Sequence, residues 1–567
     1  MKEIKIDGEL YKTDKKYLLD ALNEFGFDIP KLCHHPDLEP NASCRLCLVK
    51  VDDKVVTSCN QKIKDGMNVV TNTKSLSDKR KTNLELILAN HDMRCDMCFM
   101  NGNCELQSLS EKFDIEKLPE ILDKGKKKDS YEDNSSNAIH IDSKQCILCG
   151  RCVEICKNQD ADVLNYTKRG YKTQISTAFN LPLADTGCIS CGQCVLHCPT
   201  SALLEKNDIS DVLTLINDPN YYVVAQVAPS IRVSLGELFG IKGNVKSKIP
   251  SSLKLLGFDS VLDTSFGADM TIMEEAMELI DRIKSDEDNM PMFTSCCPAW
   301  VNYIEFNHKN LIKNLSSTKS PQIILGHLIK KIYSEKLDLD IDKIKVVSIM
   351  PCTAKKVEAS RVELRNDYVP VDYSLTTKET AKLLKQIGIN LADQKDSEFD
   401  EFFKTSSSAG EIFGTSGGVT EAALRTAYYF LTDKNPKKLE INEVRGLDNI
   451  KVYESKILNT KIKIGVVNGV GNFNKILNNL HEFDFIEVMA CPGGCIGGGG
   501  QPQPHSLQKV KERKEGLYDI DDSSSLRLCH ENPIIKEVYK KYYGEPLSES
   551  AESELHTRFL PKSKFTE

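Results

Sequence analysis

Two cysteine-rich runs in the first half of the chain indicate its organisation. The first reads Cys146-Ile147-Leu148-Cys149-Gly150-Arg151-Cys152-Val153-Glu154-Ile155-Cys156, and the second reads Cys188-Ile189-Ser190-Cys191-Gly192-Gln193-Cys194-Val195-Leu196-His197-Cys198-Pro199. The spacing Cx2Cx2Cx3C, found twice, predicts two 4Fe-4S clusters, because a short loop wraps three corners of a cubane and the fourth ligand comes from elsewhere. The crossed assignment pairs Cys146, Cys149 and Cys152 with Cys198, and Cys188, Cys191 and Cys194 with Cys156. Zinc is the alternative, but two matching runs of four favour iron-sulfur clusters.

The remaining composition supports metal binding in a reducing compartment. The chain has 567 residues and 21 cysteines, fifteen of which precede residue 199. The N-terminal residues lack an apolar core of the secretory type, so clustered cysteines predict metal sites over disulfides. The net charge of −8 argues against nucleic acid, and no apolar stretch reaches the roughly 20 residues of a membrane helix. We expect a cytoplasmic protein that binds neither nucleic acid nor membrane.

Two further ligand sets precede these runs. The first offers four thiolates, as a 2Fe-2S centre needs, although its spacing leaves zinc open; it comprises Cys33, Cys44, Cys47 and Cys59. The second offers one imidazole and three thiolates and comprises His91, Cys95, Cys98 and Cys104. In isolation the second set would favour structural zinc. Its position between cluster modules instead indicates a 4Fe-4S relay cluster, which a neutral imidazole would make easier to reduce.

The pattern along the chain predicts a multidomain α/β and α+β protein of four parts. Alternating residues on either side of Asp7-Gly8 predict a β-hairpin that opens an N-terminal β-grasp, 2Fe-2S ferredoxin-like domain at 1–78. A small histidine-ligated 4Fe-4S domain at 79–125 and a bacterial two-cluster ferredoxin domain at 126–208 follow, with a polar linker at 125–138. Buried strand patterns separated by helices then predict a large α/β catalytic domain at 209–567. Beyond a final helix near Ile534, we expect a loosely held tail.

Three motifs in the second half resemble a known family. They read Thr294-Ser295-Cys296-Cys297-Pro298-Ala299-Trp300, Met350-Pro351-Cys352-Thr353-Ala354-Lys355-Lys356-Val357-Glu358, and Met489-Ala490-Cys491-Pro492-Gly493-Gly494-Cys495-Ile496-Gly497-Gly498-Gly499-Gly500-Gln501-Pro502. In this order, behind the four ligand sets, they resemble the signatures of the iron-only (di-iron) hydrogenases of the large monomeric clostridial type. The resemblance covers nearly the whole chain.

The resemblance implies a six-iron active centre. A 4Fe-4S cubane would be held by Cys297, Cys352, Cys491 and Cys495, with Cys495 bridging to a di-iron unit that carries carbon monoxide, cyanide and an amine-dithiolate. One 2Fe-2S and three 4Fe-4S clusters would form the electron relay. The glycines around Cys491 and Cys495 suggest a backbone that approaches a bulky cofactor closely.

The resemblance also implies a proton path, through Cys296, Glu275, Ser316, Glu278 and Arg282. A thiol suits proton transfer, because its ordinary pKa of about 8.5 is close to neutral. Without the resemblance, the helical spacing of Glu275, Glu278 and Arg282 would indicate only a solvated charged face. The remaining assignments are Lys355 as a donor to a cyanide ligand, Met350, Met489 and Phe413 as pocket lining, and Cys529 as structural or idle.

These observations predict a ferredoxin hydrogenase that reversibly reduces protons to molecular hydrogen. The implied partners are reduced ferredoxin or flavodoxin and the maturation proteins that insert the di-iron unit, and the chain would be a monomer. The alternatives are a hydrogen sensor, an iron-sulfur assembly factor and an electron-transfer subunit of a respiratory NADH dehydrogenase. The segment Gly469-Val470-Gly471-Asn472-Phe473-Asn474 lacks the third glycine of a dinucleotide fingerprint, which argues against direct NAD use.

Overall fold

The structure, a computed structural model, describes residues 1–119, 131–285, 289–457 and 460–564. The chain divides into two compact units. The first comprises Met1–Asn158, Asp162–Thr186 and His197–Leu204, and the second comprises Gln159–Ala161, Gly187–Leu196 and Glu205–Glu567. The expected domain boundary at residue 125 lies outside the described residues. Within the described residues, no helix is both long and apolar enough to cross a membrane.

The first unit opens with a five-stranded mixed sheet. Its strand order is β2-β1-β5-β3-β4, with β1 at Lys2–Ile6, β2 at Glu9–Thr13, β3 at Leu48–Val51, β4 at Lys54–Thr57 and β5 at Met67–Val70. The predicted hairpin is confirmed: β1 and β2 pair antiparallel, and Asp7 and Gly8 adopt positive φ values of 48° and 101°. The helix Leu18–Glu24 buries its apolar side chains in the same core as this sheet.

The rest of the first unit consists of short elements around the cysteine sets. Its helices are Lys74–Leu88, Glu105–Lys112 and Arg151–Asn158. Its small strands are β6 at Glu132–Asp133, β7 at Ile139–Asp142, β8 at Asn165–Thr167, β9 at Gln174–Ser176 and β10 at Leu203–Glu205. The predicted linker is wrong for residues 131–138, since Tyr131, Asp133 and Ala138 are buried. Asp133 accepts hydrogen bonds from the Tyr131 hydroxyl and from the backbone of Leu183, which compensates for burying this polar segment.

The second unit contains two four-stranded sheets, which confirms an α/β body. One has the order β12-β11-β14-β15 and is entirely parallel, with β11 at Tyr222–Val227, β12 at Ser260–Asp263, β14 at Ile344–Met350 and β15 at Tyr373–Thr376. The other has the order β13-β18-β17-β16, with β13 at Met292–Phe293, β16 at Ile450–Ile457, β17 at Thr460–Asn468 and β18 at Phe485–Met489. Only β16 and β17 pair antiparallel in that sheet. The apolar runs that predicted buried strands correspond to β11, β14 and β17.

Helices surround these sheets. Their bounds are Gln193–Leu196, Ile209–Ile216, Lys248–Leu256, Thr264–Ser285, Pro298–Asn307, Pro321–Leu337, Ala354–Ser360, Thr377–Gln386, Ser408–Glu411, Gly418–Thr432, Leu507–Ser523, Pro533–Val538 and Glu549–Leu555. The helix Thr264–Ser285 packs against Pro321–Leu337 and Gly418–Thr432. It begins directly after β12 and carries Glu275, Glu278 and Arg282, whose spacing had predicted a helix.

The C-terminal segment is held firmly, so the expectation of a loose tail was wrong. Ala551 and Leu555 are completely buried. The backbone of Lys319 donates to the carbonyl of Leu555, and the backbone of Thr557 donates to the carbonyl of Ser317, both at 2.8 Å. A few apolar side chains at helical spacing, together with these backbone hydrogen bonds, outweigh the polar composition of the segment.

Candidate active site

A cavity in the second unit lies at the carboxyl ends of parallel strands. Part of its wall is formed by the residues that follow the strands β11, β12, β13, β14 and β18. Its wall is almost entirely apolar. Open α/β sheets place their ligand sites at this end of the strands, because successive loops meet there.

Four thiols predicted to bind iron line this cavity together: Cys297, Cys352, Cys491 and Cys495. Burial raises the pKa of all four, to about 12 for Cys352. Thiolates in such surroundings need a positive partner, because burial disfavours the charged form. A cavity that gathers four such thiols from three remote loops fits an iron-sulfur cubane with space beside it for a further group.

The glycines of the third motif allow protein loops to approach one another. A Cβ on Gly498 would lie 2.3 Å from the carbonyl oxygen of Pro351, and one on Gly499 would lie 2.5 Å from the carbonyl oxygen of Cys191. At these two positions the space that a side chain would need is filled by backbone, while Gly494 and Gly498 also line the cavity. This packing brings the loop of Cys495 against the loop of Cys352.

Cys296 and Glu275, the predicted inner members of the proton path, are both buried, and Cys296 also lines the cavity. Neither carboxyl oxygen of Glu275 has a hydrogen-bond partner among the described residues. Burial, reinforced by the charge of Glu278, raises the pKa of Glu275 well above its ordinary value. Burial likewise raises the pKa of Cys296. Both groups are therefore suited to carrying a proton near neutral pH.

The outer members form a hydrogen-bonded chain. Glu278 Oε2 accepts from the Ser316 hydroxyl at 2.6 Å, and Glu278 Oε1 accepts from Arg282 Nη2 at 2.6 Å. Burial alone would raise the pKa of Glu278, but the Arg282 charge and the Ser316 hydroxyl outweigh it and hold that pKa below its ordinary value. Among the described residues, no hydrogen bond joins Glu275 to the hydrogen-bonded group of Ser316, Glu278 and Arg282.

Lys355 is buried, although its sequence context alone would place it on the surface. Its ammonium group donates to Glu358 Oε2 at 2.7 Å, to Ser320 Oγ at 2.9 Å and to the Cys296 carbonyl at 3.2 Å. Glu358 also accepts from Ser320 and from Gln322. Sequence reasoning missed Glu358, whose signal was its position three residues after Lys355 in the second motif. The expected pocket residues Met350, Met489 and Phe413 all line the cavity.

Three of the relay ligand sets gather in the first unit. The thiol of Cys33 contacts those of Cys44 and Cys59, and Cys47 contacts Cys59. A second cavity is lined by His91, Cys95, Cys98 and Cys104. A third is lined by Cys146, Cys149, Cys152 and Cys198, the crossed set expected from the spacing. Burial lowers the pKa of His91, which suits a neutral imidazole ligand.

The fourth set is divided between the two units. Cys188, Cys191 and Cys194 belong to the second unit, whereas Cys156 belongs to the first. Within the second unit, Cys491 Sγ lies 3.9 Å from the carbonyl oxygen of Cys191. The loop of one relay set therefore borders a ligand of the active-site cavity. Cys529 is buried in contact with the Thr426 hydroxyl and does not line the cavity.

This combination of cysteine-lined cavities and α/β body defines an iron-sulfur redox enzyme. The family model described as iron only hydrogenase large subunit, C-terminal domain, matches residues 221–499, and iron hydrogenase small subunit matches 507–562. A 2Fe-2S iron-sulfur cluster binding domain matches 2–74, the iron-sulfur binding region of NADH-ubiquinone oxidoreductase-G matches 80–119, and a 4Fe-4S dicluster domain matches 145–202. These matches favour iron-sulfur clusters over zinc in both N-terminal sets.

Full-length relatives extend the match to the whole chain. A NADP-reducing hydrogenase subunit of Solidesulfovibrio fructosivorans is 40% identical and covers 100% of both chains. Iron hydrogenase 1 of Clostridium pasteurianum is 39% identical over 99% of this chain and 100% of its own. A solved structure of an FeFe-hydrogenase HydA1 variant from Chlamydomonas reinhardtii is 36% identical with a TM-score of 0.56, covering 63% of this chain and 100% of that one.

The chain therefore belongs to the iron-only (FeFe) hydrogenase family, as the sequence motifs predicted. It combines 2Fe-2S and 4Fe-4S domains with the catalytic domain that holds the family's active-site cluster.

Proposed function

We propose that this chain is a ferredoxin hydrogenase that reversibly reduces protons to molecular hydrogen. The observation that carries the proposal is the convergence of Cys297, Cys352, Cys491 and Cys495 on one buried cavity beside the thiol of Cys296. These four thiolates would hold the cubane, with Cys495 shared with the di-iron unit. When bound, that unit supplies the sites at which protons, electrons and hydrogen are interconverted.

Cys296 is proposed to hold the proton that is exchanged with the active centre. Its thiol lies at the cavity wall, and burial keeps it protonated near neutral pH. Glu275, whose pKa burial also raises well above its ordinary value, would pass protons to and from this thiol. A positioned acid-base group at the wall would deliver protons to one side of the cavity.

Glu278, Ser316 and Arg282 are proposed to form the outer part of the path. The Ser316 hydroxyl can turn to donate or accept a proton, and Glu278 remains ionised as its acceptor. Arg282 balances the charge of Glu278 and donates to the carbonyl of Leu315 at 2.8 Å, which fixes the carboxylate. Transfer to Glu275 requires a movement of a side chain or an intervening water.

Lys355 is proposed to orient a cyanide ligand of the di-iron unit. Glu358 holds its ammonium group against the Cys296 carbonyl, so that the charge stays at the cavity wall. Met350, Met489 and Phe413 would enclose the unit and exclude water. Exclusion of water strengthens every electrostatic interaction inside the cavity.

The relay is proposed to consist of one 2Fe-2S and three 4Fe-4S clusters. The N-terminal set would hold the 2Fe-2S centre in a β-grasp domain at 1–78, and the His91 set would hold a 4Fe-4S cluster in a domain at 79–125. The two crossed sets would follow at 126–208, ahead of a catalytic domain at 209–567. Reduced ferredoxin or flavodoxin would supply electrons to a monomer whose di-iron unit is inserted by maturation proteins.

The test is hydrogen turnover by the matured full-length chain. We expect hydrogen evolution with reduced ferredoxin and hydrogen uptake with an oxidised dye. The same chain produced without maturation proteins is the control, and it should contain the relay clusters but lack turnover. Matured protein that neither evolves nor consumes hydrogen would refute the proposal.

A second candidate concerns the electron partner. The Solidesulfovibrio fructosivorans relative, which matches over its whole length, is a subunit of a NADP-reducing hydrogenase. The loop after β17 lacks a dinucleotide fingerprint, so NADP would have to bind to a partner subunit. Ferredoxin-driven turnover by the isolated chain would favour the first candidate. Turnover with NADPH only after a partner is added would favour the second.

A further inference from the structure

Arg151 lies between two cysteines of the first run and reaches both other ligand sets of the first unit. Its Nη1 and Nη2 donate to the two carboxyl oxygens of Glu105 at 2.7 and 2.8 Å. Nη2 also donates to the backbone carbonyl of His34 at 2.9 Å. Glu105 directly follows Cys104, and His34 directly follows Cys33. One guanidinium therefore ties together the loops of three cluster sites.

Neighbouring contacts reinforce the same arrangement. The backbone of Glu105 donates to the carbonyl of Pro199, the residue after Cys198, at 3.2 Å. The side chain of Asn41, in the loop that precedes Cys44, donates to the carbonyl of Cys149 at 2.9 Å. The three sites thus contact one another through backbone and side-chain hydrogen bonds, and Arg151 is the buried side chain that bonds to two of the three loops and belongs to the third.

The charge of Arg151 has little solvent to screen it. Its side chain is 4% exposed, whereas that of Glu105 is 41% exposed. The Nε atom of Arg151 is buried without a hydrogen-bond partner in the described part of the chain. A buried N–H without a partner is costly, unless a group such as cluster sulfur accepts from it.

We infer that Arg151 is a positioning residue of the electron relay, which fixes three cluster loops relative to one another and raises the reduction potential of the cubane on Cys146, Cys149, Cys152 and Cys198. The inference rests on the proposed function of this unit as a relay. One-electron reduction adds one negative charge to the cubane without breaking a bond, so a fixed positive charge beside it favours the reduced form. Arginine is suited to this role, because its planar fork can bind a carboxylate and a carbonyl at once.

The test compares midpoint potentials in the full-length protein, followed by electron paramagnetic resonance. In Arg151→Gln, we expect the ratio of reduced to oxidised cubane at a fixed potential to fall by about tenfold, a negative shift of about 59 mV for one electron. In Glu105→Gln, the guanidinium loses its counter-charge, so the midpoint should move in the opposite direction. Arg151→Lys keeps the charge and should retain most of the potential, but it should weaken the magnetic coupling between neighbouring clusters.

The matched control is Arg94→Gln, which removes an arginine that is 69% exposed and lies next to Cys95. Its potentials should equal those of the parent protein. Unchanged potentials in Arg151→Gln, or shifts of the same sign in Arg151→Gln and Glu105→Gln, would overturn the inference. If Arg151→Gln fails to assemble clusters, the midpoint potential of Glu105→Gln tests the inference: a shift to a more positive potential supports it, and a shift to a more negative potential overturns it. Absence of hydrogen turnover in the matured parent protein, together with the expected shifts in the variants, would refute the proposed function and leave this inference standing.

Discussion

The active-site cavity and the His91 cavity both gather cysteines, but in different surroundings. In the active-site cavity three of the five thiols are buried, Cys297 and Cys495 are half-buried, and the wall is nearly all apolar. In the His91 cavity Cys104 is buried, Cys95 and Cys98 are half-buried, and Met97 between them is 77% exposed. Proton chemistry needs controlled access of water, whereas a cluster that receives electrons from another protein needs to lie near the surface. Under the proposed function, the active-site cavity would be the place of bond chemistry and the His91 cavity a place of electron supply.

The sharpest test of this separation removes the proton donor at the cavity. Cys296→Ala should lower hydrogen turnover by at least about 100-fold, because a positioned acid-base group contributes roughly that much or more. Infrared bands and iron content should stay unchanged. The control is Cys529→Ala, which removes another buried thiol away from the cavity and should leave turnover intact. Full activity of Cys296→Ala would exclude its role in proton transfer.

A smaller loss is expected further from the cavity. Glu278→Gln should lower turnover by about 10- to 100-fold, because an amide cannot replace a carboxylate that accepts from Ser316 and Arg282. Turnover should be measured with saturating dye, so that electron supply is not limiting. Asp281→Asn is the matched control, since Asp281 is exposed on the same helix. Equal losses in the two variants would contradict the path.

The hydrogen bond by which Glu358 holds Lys355 at the cavity wall should contribute mainly to the stability of the folded protein. Glu358→Gln weakens a charged hydrogen bond to Lys355 and should cost about 2 kcal/mol, which lowers the unfolding temperature by a few degrees. Glu401→Gln removes the almost fully exposed carboxylate of a pair with the same spacing, so its unfolding temperature should not change. A null effect of Glu358→Gln would show that Lys355 does not depend on this partner.

The smallest effect on catalysis is expected at the His91 cavity. His91→Cys would replace a neutral ligand by an anionic one and should move the potential of that cluster to a more negative value. Turnover with a small dye that reaches the active centre directly should change little, whereas turnover with ferredoxin should fall. If dye-driven turnover fell as much in His91→Cys as in Cys296→Ala, the proposed division of roles between the two cavities would be contradicted.

Much of this arrangement could be predicted from sequence, because thiolate clusters impose short, regular spacings. The crossed set of Cys146, Cys149, Cys152 and Cys198 lines one cavity, as the spacing required. The strands β11, β14 and β17 were visible as apolar runs, since strands buried on both faces need no polar alternation.

Other features depend on tertiary packing that local composition does not encode. Lys355 and Glu358 look like a surface pair until the fold buries both. Tyr131 and Asp133 lie in a polar stretch that is nevertheless buried, because they hydrogen-bond to each other. The glycines near Cys495 were expected to let the backbone approach a cofactor, and Gly494 and Gly498 do line the cavity. Their close contacts with the backbone of other loops could not be predicted, because only the assembled fold brings those loops near.

Thiols from three remote loops are proposed to hold an organometallic iron centre in the apolar cavity, and infrared spectroscopy of the matured full-length protein would detect that centre. We expect sharp carbon monoxide and cyanide stretching bands that are present in Cys296→Ala and absent from protein made without maturation proteins. Matured protein with a full complement of iron-sulfur clusters and no such bands would exclude an organometallic centre in this cavity.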